Sequence, residues 1–334
     1  MILMICTNLT CRRINTRYAP AMTALQFYSI TAQHTQHWSR ILVTDVAPFF
    51  LTEELAAQLP ALIPRMPCEM LAQLLPHLSV HDSYTTYAIP ASYPRAVFLR
   101  HADLWSLPTQ QRSALMLAQY QAGRGQIYAW EHVQHFFMSP QLQSKAEREC
   151  IETDKGRFLV LDAWLWGQLP ALVRHAWLLD YVAQAHHPYP TCVFPVQEQV
   201  FSRRSIVHYL ANSFSYTSGP NCFATALAAA TPERHQATTI SGMWLHQPAF
   251  FDGLHARGYT QQDYISVLDP DLRDSICVWY DAQGRAVHAC WIIGNGLALN
   301  KNAQSWYAPR HIAMLCDILA YWQDDGLRCV VYYA

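Results

Sequence analysis

The amino-acid sequence predicts an α+β protein of two domains: a mainly helical N-terminal domain, then a domain in which an antiparallel sheet packs on helices. Its 334 residues are many for a single hydrophobic core. Apolar residues recur at helical spacing between proline breaks up to about residue 190, and from Ile276 the pattern becomes that of short strands. We therefore expect domains at residues 22–190 and 196–334, preceded by a disordered stretch at residues 1–21.

The N-terminal domain is assigned from signals that start and stop helices. Thr52 is typical of an N-cap, and Leu55 and Leu59 follow it at helical spacing. Another predicted helix opens at Ser106 and ends at Gly123, a residue type that favours helix C-termini. The domain carries no nucleophile-and-base pair, so we expect it to shape a cleft or select a partner. The sequence leaves open whether Met1 or Met22 is the true start.

The C-terminal domain follows residues 186–195, where three prolines predict a linker. Its pattern changes from helical to β along the chain. The predicted elements are helices from Ser202, from Cys222 and from about Pro309 to Trp322, a hairpin turn at Asp281–Gly284, and strands Ile276–Tyr280, Val287–Ile293, Leu297–Lys301 and Arg328–Tyr333.

Composition and charge exclude several classes of function. Charged residues make up 14% of the chain, below the ~25% typical of globular domains. The formal net charge is −1 and no basic run occurs, so we expect no nucleic-acid partner. Because no stretch of about 18 apolar residues lacks polar interruption, we expect no membrane span.

Ten cysteines without a secretion signal predict reduced thiols and a cytoplasmic protein. Among these cysteines there is no Cys-x-x-Cys pair, so a structural zinc site is not indicated. His34 and His37, and His132 and His135, are spaced to share a helix face, but 16 histidines make such pairs expected by chance. We therefore predict no metal and no cofactor.

Three residues have the order of a cysteine-nucleophile triad. Cys222 follows a Gly-Pro turn and begins an alanine-rich helix, so backbone N–H groups and the helix dipole should lower its pKa. His288 lies near the start of a predicted strand, and Asn300 lies on the next strand beyond a Gly-Asn-Gly turn. A cysteine, a base and a polar residue that orients the base suit acyl transfer through a thioester, starting from a thiolate–imidazolium pair.

The stretch from Tyr216 to Lys301 resembles the NlpC/P60 branch of the papain-like cysteine peptidases. His288-Ala-Cys-Trp-Ile-Ile-Gly-Asn-Gly resembles the family's histidine strand, and Asn300 stands where its third polar residue falls. The resemblance implies a papain-like C-terminal domain. The family's usual Asp-Cys-Ser-Gly is Asn-Cys-Phe-Ala here, and the span between cysteine and histidine is long.

The sequence therefore predicts a cysteine hydrolase, an amidase or peptidase, that uses Cys222, His288 and Asn300. Tyr216 and Asn221 are candidates for substrate binding or the oxyanion hole. Three alternatives stay open: an acyltransferase, an OTU-like protease, since Asn-Cys-Phe resembles that family's nucleophile segment, and a catalytically silent binding module. We expect a peptide, amide or acyl substrate. The substrate's identity and the oligomeric state are not given by the sequence.

Overall fold

The computed structural model describes residues 25, 28–71, 89–185, 205–262, 269, 271–323 and 326–334. They form two compact units. The first contains the described residues from Thr35 to Leu179, and the second those from Asp180 to Ala334 with the described residues up to His34. The expected disordered N-terminus, the alternative start at Met22, the linker at 186–195 and the cap at Ser202 lie outside the described residues.

The part of the chain up to Ala185 is built from short helices and short strands. The helices are α1 (Ala32–Ile41), α2 (Glu53–Gln58), α3 (His101–Ser106), α4 (Thr109–Gln121), α5 (Trp130–Val133), α6 (Pro140–Arg148), α7 (Ala163–Gln168) and α8 (Ala171–Ala185), with 3-10 turns at Cys68–Met70 and Gln134–Phe136. The strands are β1 (Val46–Leu51), β2 (Met66–Pro67), β3 (Arg95–Arg100), β4 (Ile127–Ala129), β5 (Cys150–Thr153) and β6 (Gly156–Val160).

Local capping explains where several of these helices begin. The Thr52 hydroxyl accepts a hydrogen bond from the Leu55 N–H at 3.2 Å, as the sequence predicts, and starts α2. Asp162 accepts from the Leu165 N–H at 2.9 Å and starts α7. Both caps place the buried leucine that follows them against the core of the first unit.

The prediction of a mainly helical N-terminal domain is wrong in one respect, because the first unit also contains two antiparallel sheets. Their strand orders are β1-β3-β2 and β4-β6-β5. The apolar run Phe158–Trp166 is split at Asp162 into the end of β6 and the start of α7. These strands are short and separated by helices, so no alternating run is long enough to distinguish them from buried helix segments.

The second unit contains one larger sheet with helices. Its helices are α9 (Ser205–Leu210), α10 (Cys222–Ala229), α11 (Arg234–Ser241), α12 (Gln247–His255) and α13 (Leu315–Gln323). Its strands are β7 (Thr260–Gln262), β8 (Ser275–Tyr280), β9 (Ala286–Gly294), β10 (Leu297–Lys301), β11 (Arg310–Met314) and β12 (Arg328–Tyr333). Within the described residues the sheet is antiparallel in the order β11-β10-β9-β8-β12-β7.

The four strands predicted in this region are confirmed, but the helix expected from Pro309 is wrong at its start. Arg310–Met314 is a strand that pairs with β10, and α13 begins only at Leu315. The chain is therefore mixed α+β with antiparallel sheets, as predicted at that level. The predicted domain boundary lies between residues 190 and 196, whereas the two units divide at Leu179. No helix in the described ranges is long and apolar enough to cross a membrane.

The register of β8 and β9 separates two faces of the sheet. Val278 opposes Ala289 on the face that packs against the alanine-rich helix α10. Trp279 opposes His288, and the Trp322 ring of α13 stacks on His288, so this pair lies on the opposite face. The sheet thus has an apolar core on one side and a histidine between aromatic rings on the other.

Candidate active site

Cys222 is the first residue of α10, as the sequence predicts. The side chain of Asn221 caps the helix, accepting a hydrogen bond from the Ala224 N–H at 3.0 Å. Its amide nitrogen donates to the carbonyl of Leu245 at 2.7 Å. Both ends of the Asn221 amide are therefore engaged in holding the helix start.

The turn before Cys222 requires glycine. Gly219 has φ +119°, a conformation that residues with a Cβ rarely adopt. Its N–H donates to the carbonyl of Gln304 at 2.8 Å, and the Ser218 hydroxyl accepts from the Trp306 N–H at 3.1 Å. The turn is thus fixed to the loop that follows β10.

The environment of Cys222 raises its pKa, contrary to the expectation of a lowered one. Burial raises the pKa of the half-buried Cys222 thiol to about 11. The backbone N–H groups of Ala289, Phe223 and Cys222 itself face the sulfur and, with the charge of Lys301, oppose this rise without cancelling it. The helix N-terminus acts in the predicted direction, but desolvation is the larger effect.

His288 and Asn300 are brought together by β9 and β10. The distance from His288 Nε2 to Asn300 Oδ1 is 2.8 Å, and both side chains are buried. The Asn300 amide nitrogen donates to Asn302 Oδ1 at 2.7 Å, so its oxygen is the end that faces the ring. Nε2 therefore carries the proton, and Nδ1 is the nitrogen with a free lone pair.

Aromatic rings surround the His288 imidazole. The Trp322 ring stacks on it with centroids 4.3 Å apart, and the Trp279 ring lies 5.1 Å away. Burial lowers the pKa of His288 to about 3, although the hydrogen bond to Asn300 acts to raise it. With a protonated thiol and a neutral imidazole, the resting pair is uncharged, so the expected thiolate–imidazolium pair is wrong.

The Cys222 sulfur lies against the backbone of β9, the strand that carries His288. The Ala289 N–H faces the sulfur, and His288 is the preceding residue. Within the described residues no hydrogen bond joins the Cys222 thiol to the His288 ring, and the two side chains belong to opposite faces of the sheet. The pairing of β9 with β10 ends at Trp291 and Leu299, before the strand segments that carry His288 and Asn300.

Tyr216 lies at the surface, with 41% of its area exposed. Its ring stacks on His34 with centroids 4.3 Å apart, and its hydroxyl donates to Gln33 Oε1 at 3.3 Å. These contacts tie Tyr216 to the first turn of α1.

Lys301 is the residue near this site that sequence reasoning missed. It is fully buried, and its ammonium donates to the carbonyl oxygens of Ala303, Ser305 and Ala308 at 2.6, 3.0 and 2.6 Å. Burial lowers its pKa well below the usual value, helped by Arg310 and opposed by Cys222. A sequence signal existed: strand alternation puts Lys301 with Leu297 and Leu299 on the core face.

The other cysteines divide by exposure. Cys290 is buried and opposes Cys277 in the sheet. Cys316 is exposed because it lies at the second position of α13, on the side away from the core. It provides an accessible thiol in the same unit against which Cys222 can be compared.

Comparison of the chain with protein-family models, with curated proteins and with solved structures finds no match.

Proposed function

We propose that the second unit is a cysteine hydrolase, an amidase or peptidase with a papain-like domain of the NlpC/P60 type. The observation that carries the proposal is the His288–Asn300 hydrogen bond, beside the strand position that faces a helix-start cysteine. The amide fixes the tautomer of the imidazole and leaves Nδ1 able to accept a proton. A nucleophile, a base and an orienting group are the parts that this chemistry needs.

The mechanism starts from the uncharged pair. As the Cys222 sulfur attacks the acyl carbon, His288 Nδ1 takes the thiol proton, and Asn300 Oδ1 accepts a hydrogen bond from the imidazolium. The backbone N–H of Cys222 donates to the oxyanion. The imidazolium then protonates the leaving amine, which departs and leaves a thioester. Water, deprotonated by His288, attacks the thioester, and the acid leaves as the thiol is reprotonated.

Substrate binding must complete the dyad. Because the two side chains lie on opposite faces of the sheet, the proposal requires the segment of β9 that carries His288 to rearrange when substrate binds at the unpaired end between β9 and β10, so that Nδ1 reaches the sulfur. The same chemistry serves an acyltransferase when an amine replaces water. We also propose a cytoplasmic location, since every described cysteine has a free thiol.

A catalytically silent binding module is the second candidate. It is supported by the burial that keeps the Cys222 thiol protonated and the His288 ring neutral. Such a pair carries no charge, so binding would depend on hydrogen bonds and apolar contacts.

Acylation by p-nitrophenyl acetate tests the proposal in the full chain. We expect an acetyl group on Cys222, found by peptide mass spectrometry, that forms and then turns over. Cys316→Ser should leave the rate unchanged and Cys222→Ser should abolish it. Acetylation of Cys316 but not of Cys222 would support the silent module. Added glycine amide separates hydrolysis from transfer, because a transferase would produce the acetylated amine faster than acetate.

A further inference from the structure

We propose that His101, Glu149 and Asp162 of the first unit form a binding site for one divalent transition-metal ion. The candidate ligand atoms, the His101 Nδ1 and one carboxylate oxygen from each acid, all lie within 4.8 Å of one another. One imidazole nitrogen and two carboxylate oxygens are a donor set that Zn²⁺ and Mn²⁺ accept.

Each ligand is positioned by the end of a secondary-structure element. His101 is the first residue of α3, directly after β3, and Glu149 directly follows α6. Asp162 precedes α7 and uses Oδ1 to cap that helix, which directs Oδ2 to His101 Nδ1. The three side chains therefore converge because three elements of the first unit end at one place, although 61 residues separate His101 from Asp162.

Glu149 supplies the observation that points to a ligand. Its exposed fraction is 7%, and its Oε2 is a buried oxygen without a hydrogen-bond partner. That oxygen lies 3.9 Å from His101 Nδ1, inside the cluster. A buried carboxylate oxygen without a hydrogen bond is costly, and a cation between Glu149 and Asp162 would remove the cost.

The site has an open side. His101 and Asp162 line a pocket of the first unit whose wall also includes Thr44, Asp45 and Arg100. The remaining coordination positions would face this pocket, where water or a small ligand can occupy them. On another side, the rings of Trp105 and Trp164 lie 5.9 and 5.8 Å from the imidazole. Such an apolar surround strengthens the attraction between a cation and carboxylates.

An ordinary His101–Asp162 ion pair is the alternative. It accounts for one carboxylate but leaves Glu149 Oε2 buried without a hydrogen bond. The metal site accounts for all three side chains with one ion.

Calorimetric titration of the chelator-treated full chain with ZnCl₂ and MnCl₂ tests the proposal. We expect one equivalent of each to bind, Zn²⁺ more tightly, as the usual order of affinities requires. Glu149→Gln and His101→Gln should weaken binding of both metals by at least about tenfold. Glu152→Gln, an exposed acid of β5 paired with Arg157, is the matched control and should change nothing.

Three results would overturn the proposal: no stoichiometric binding, equal binding by wild type and Glu149→Gln, or equal weakening by Glu152→Gln. Circular dichroism of each variant checks that the fold is intact. Thermal denaturation provides a second measurement, because an ion that binds only the folded chain raises the melting temperature of wild type more than that of Glu149→Gln.

Discussion

Two histidines in the two units have different hydrogen-bond partners. In the second unit, His288 is buried between tryptophan rings and its Nε2 faces a neutral amide oxygen. In the first unit, His101 is about one-third exposed and its Nδ1 faces two carboxylates. An amide fixes a tautomer without adding charge, so it suits a neutral base. Two carboxylates instead favour a cation bound between them. The partner, more than the histidine, determines which chemistry each place supports.

The largest expected effect is the loss of catalysis when the amide-bound histidine is removed. His288→Ala should slow acetylation of Cys222 by roughly 10²- to 10⁴-fold, the usual contribution of a general base. His135→Ala, at an exposed position of the first unit, is the control and should leave the rate unchanged. Stopped-flow release of p-nitrophenol measures both. Equal rates for wild type and His288→Ala would mean that His288 is not the base.

The free energy of unfolding should decrease as the pH is lowered, because burial keeps His288 neutral in the folded chain. Its pKa is lowered from 6.5 to about 3 in the folded chain, so the unfolded chain takes up a proton first as the pH falls. Stability from this group is fully present above about pH 6.5 and is lost progressively toward pH 3, by at most about 4–5 kcal/mol.

Urea unfolding at several pH values measures this loss. His288→Gln keeps a hydrogen-bonding side chain but cannot titrate, so its stability should vary less with pH. A remaining slope comes from other groups with lowered pKa values, His34 and His101 among them. Identical slopes for wild type and variant would show that His288 is not held neutral by burial.

Alkylation of Cys222 should be slow at neutral pH. With its pKa raised to about 11, the thiolate fraction is roughly 10²-fold below that of a free thiol near 8.5. Iodoacetamide, which needs the thiolate, should therefore label exposed Cys316 before Cys222, and labelling of Cys222 should rise steeply with pH. Mass spectrometry of the two peptides gives both rates. Fast labelling of Cys222 at pH 6 would restore the thiolate–imidazolium pair and refute the neutral one.

Asn300→Asp would give the second site the partner type of the first. A carboxylate facing Nε2 favours the charged imidazole, so the pKa of His288 should rise by roughly 1 to 3 pH units. The acid limb of the pH–rate profile for acetylation should move upward by the same amount. Asn295→Asp makes the same change at the exposed turn between β9 and β10 and should not move the limb. An unmoved limb in Asn300→Asp would mean that residue 300 does not set the protonation of His288.

The sequence predicts the second unit better than the first because its signals there are local. The Gly-Asn-Gly turn places β9 and β10 next to each other, so the His288–Asn300 contact follows from residues 12 positions apart. The sequence pattern predicts helix over β11 because Arg310–Met314 runs into α13 without a break. In the second unit, the balance between helix dipole and burial at Cys222 depends on packing that a sequence pattern does not contain.

In the first unit the useful signals are spread along the chain. His101, Glu149 and Asp162 belong to three separate elements, and none of the spacings between them matches a metal-binding motif. Each residue alone is typical of a helix end. Only the folded arrangement of β3, α6 and β6 shows that these ends meet.

The contacts of Lys301 determine when, during translation, the turn before Cys222 can be fixed in place. Its ammonium joins β10 to the loop of Ala303 and Ala308, and Gln304 in that loop accepts from the turn before Cys222. A ribosome makes Cys222 long before this loop, so the nascent thiol lacks the contacts that hold its turn. Full placement of Cys222 therefore requires translation beyond Ala308. In the proposed enzyme, Cys222 and the turn that holds it are complete only when nearly all of the second unit has been made.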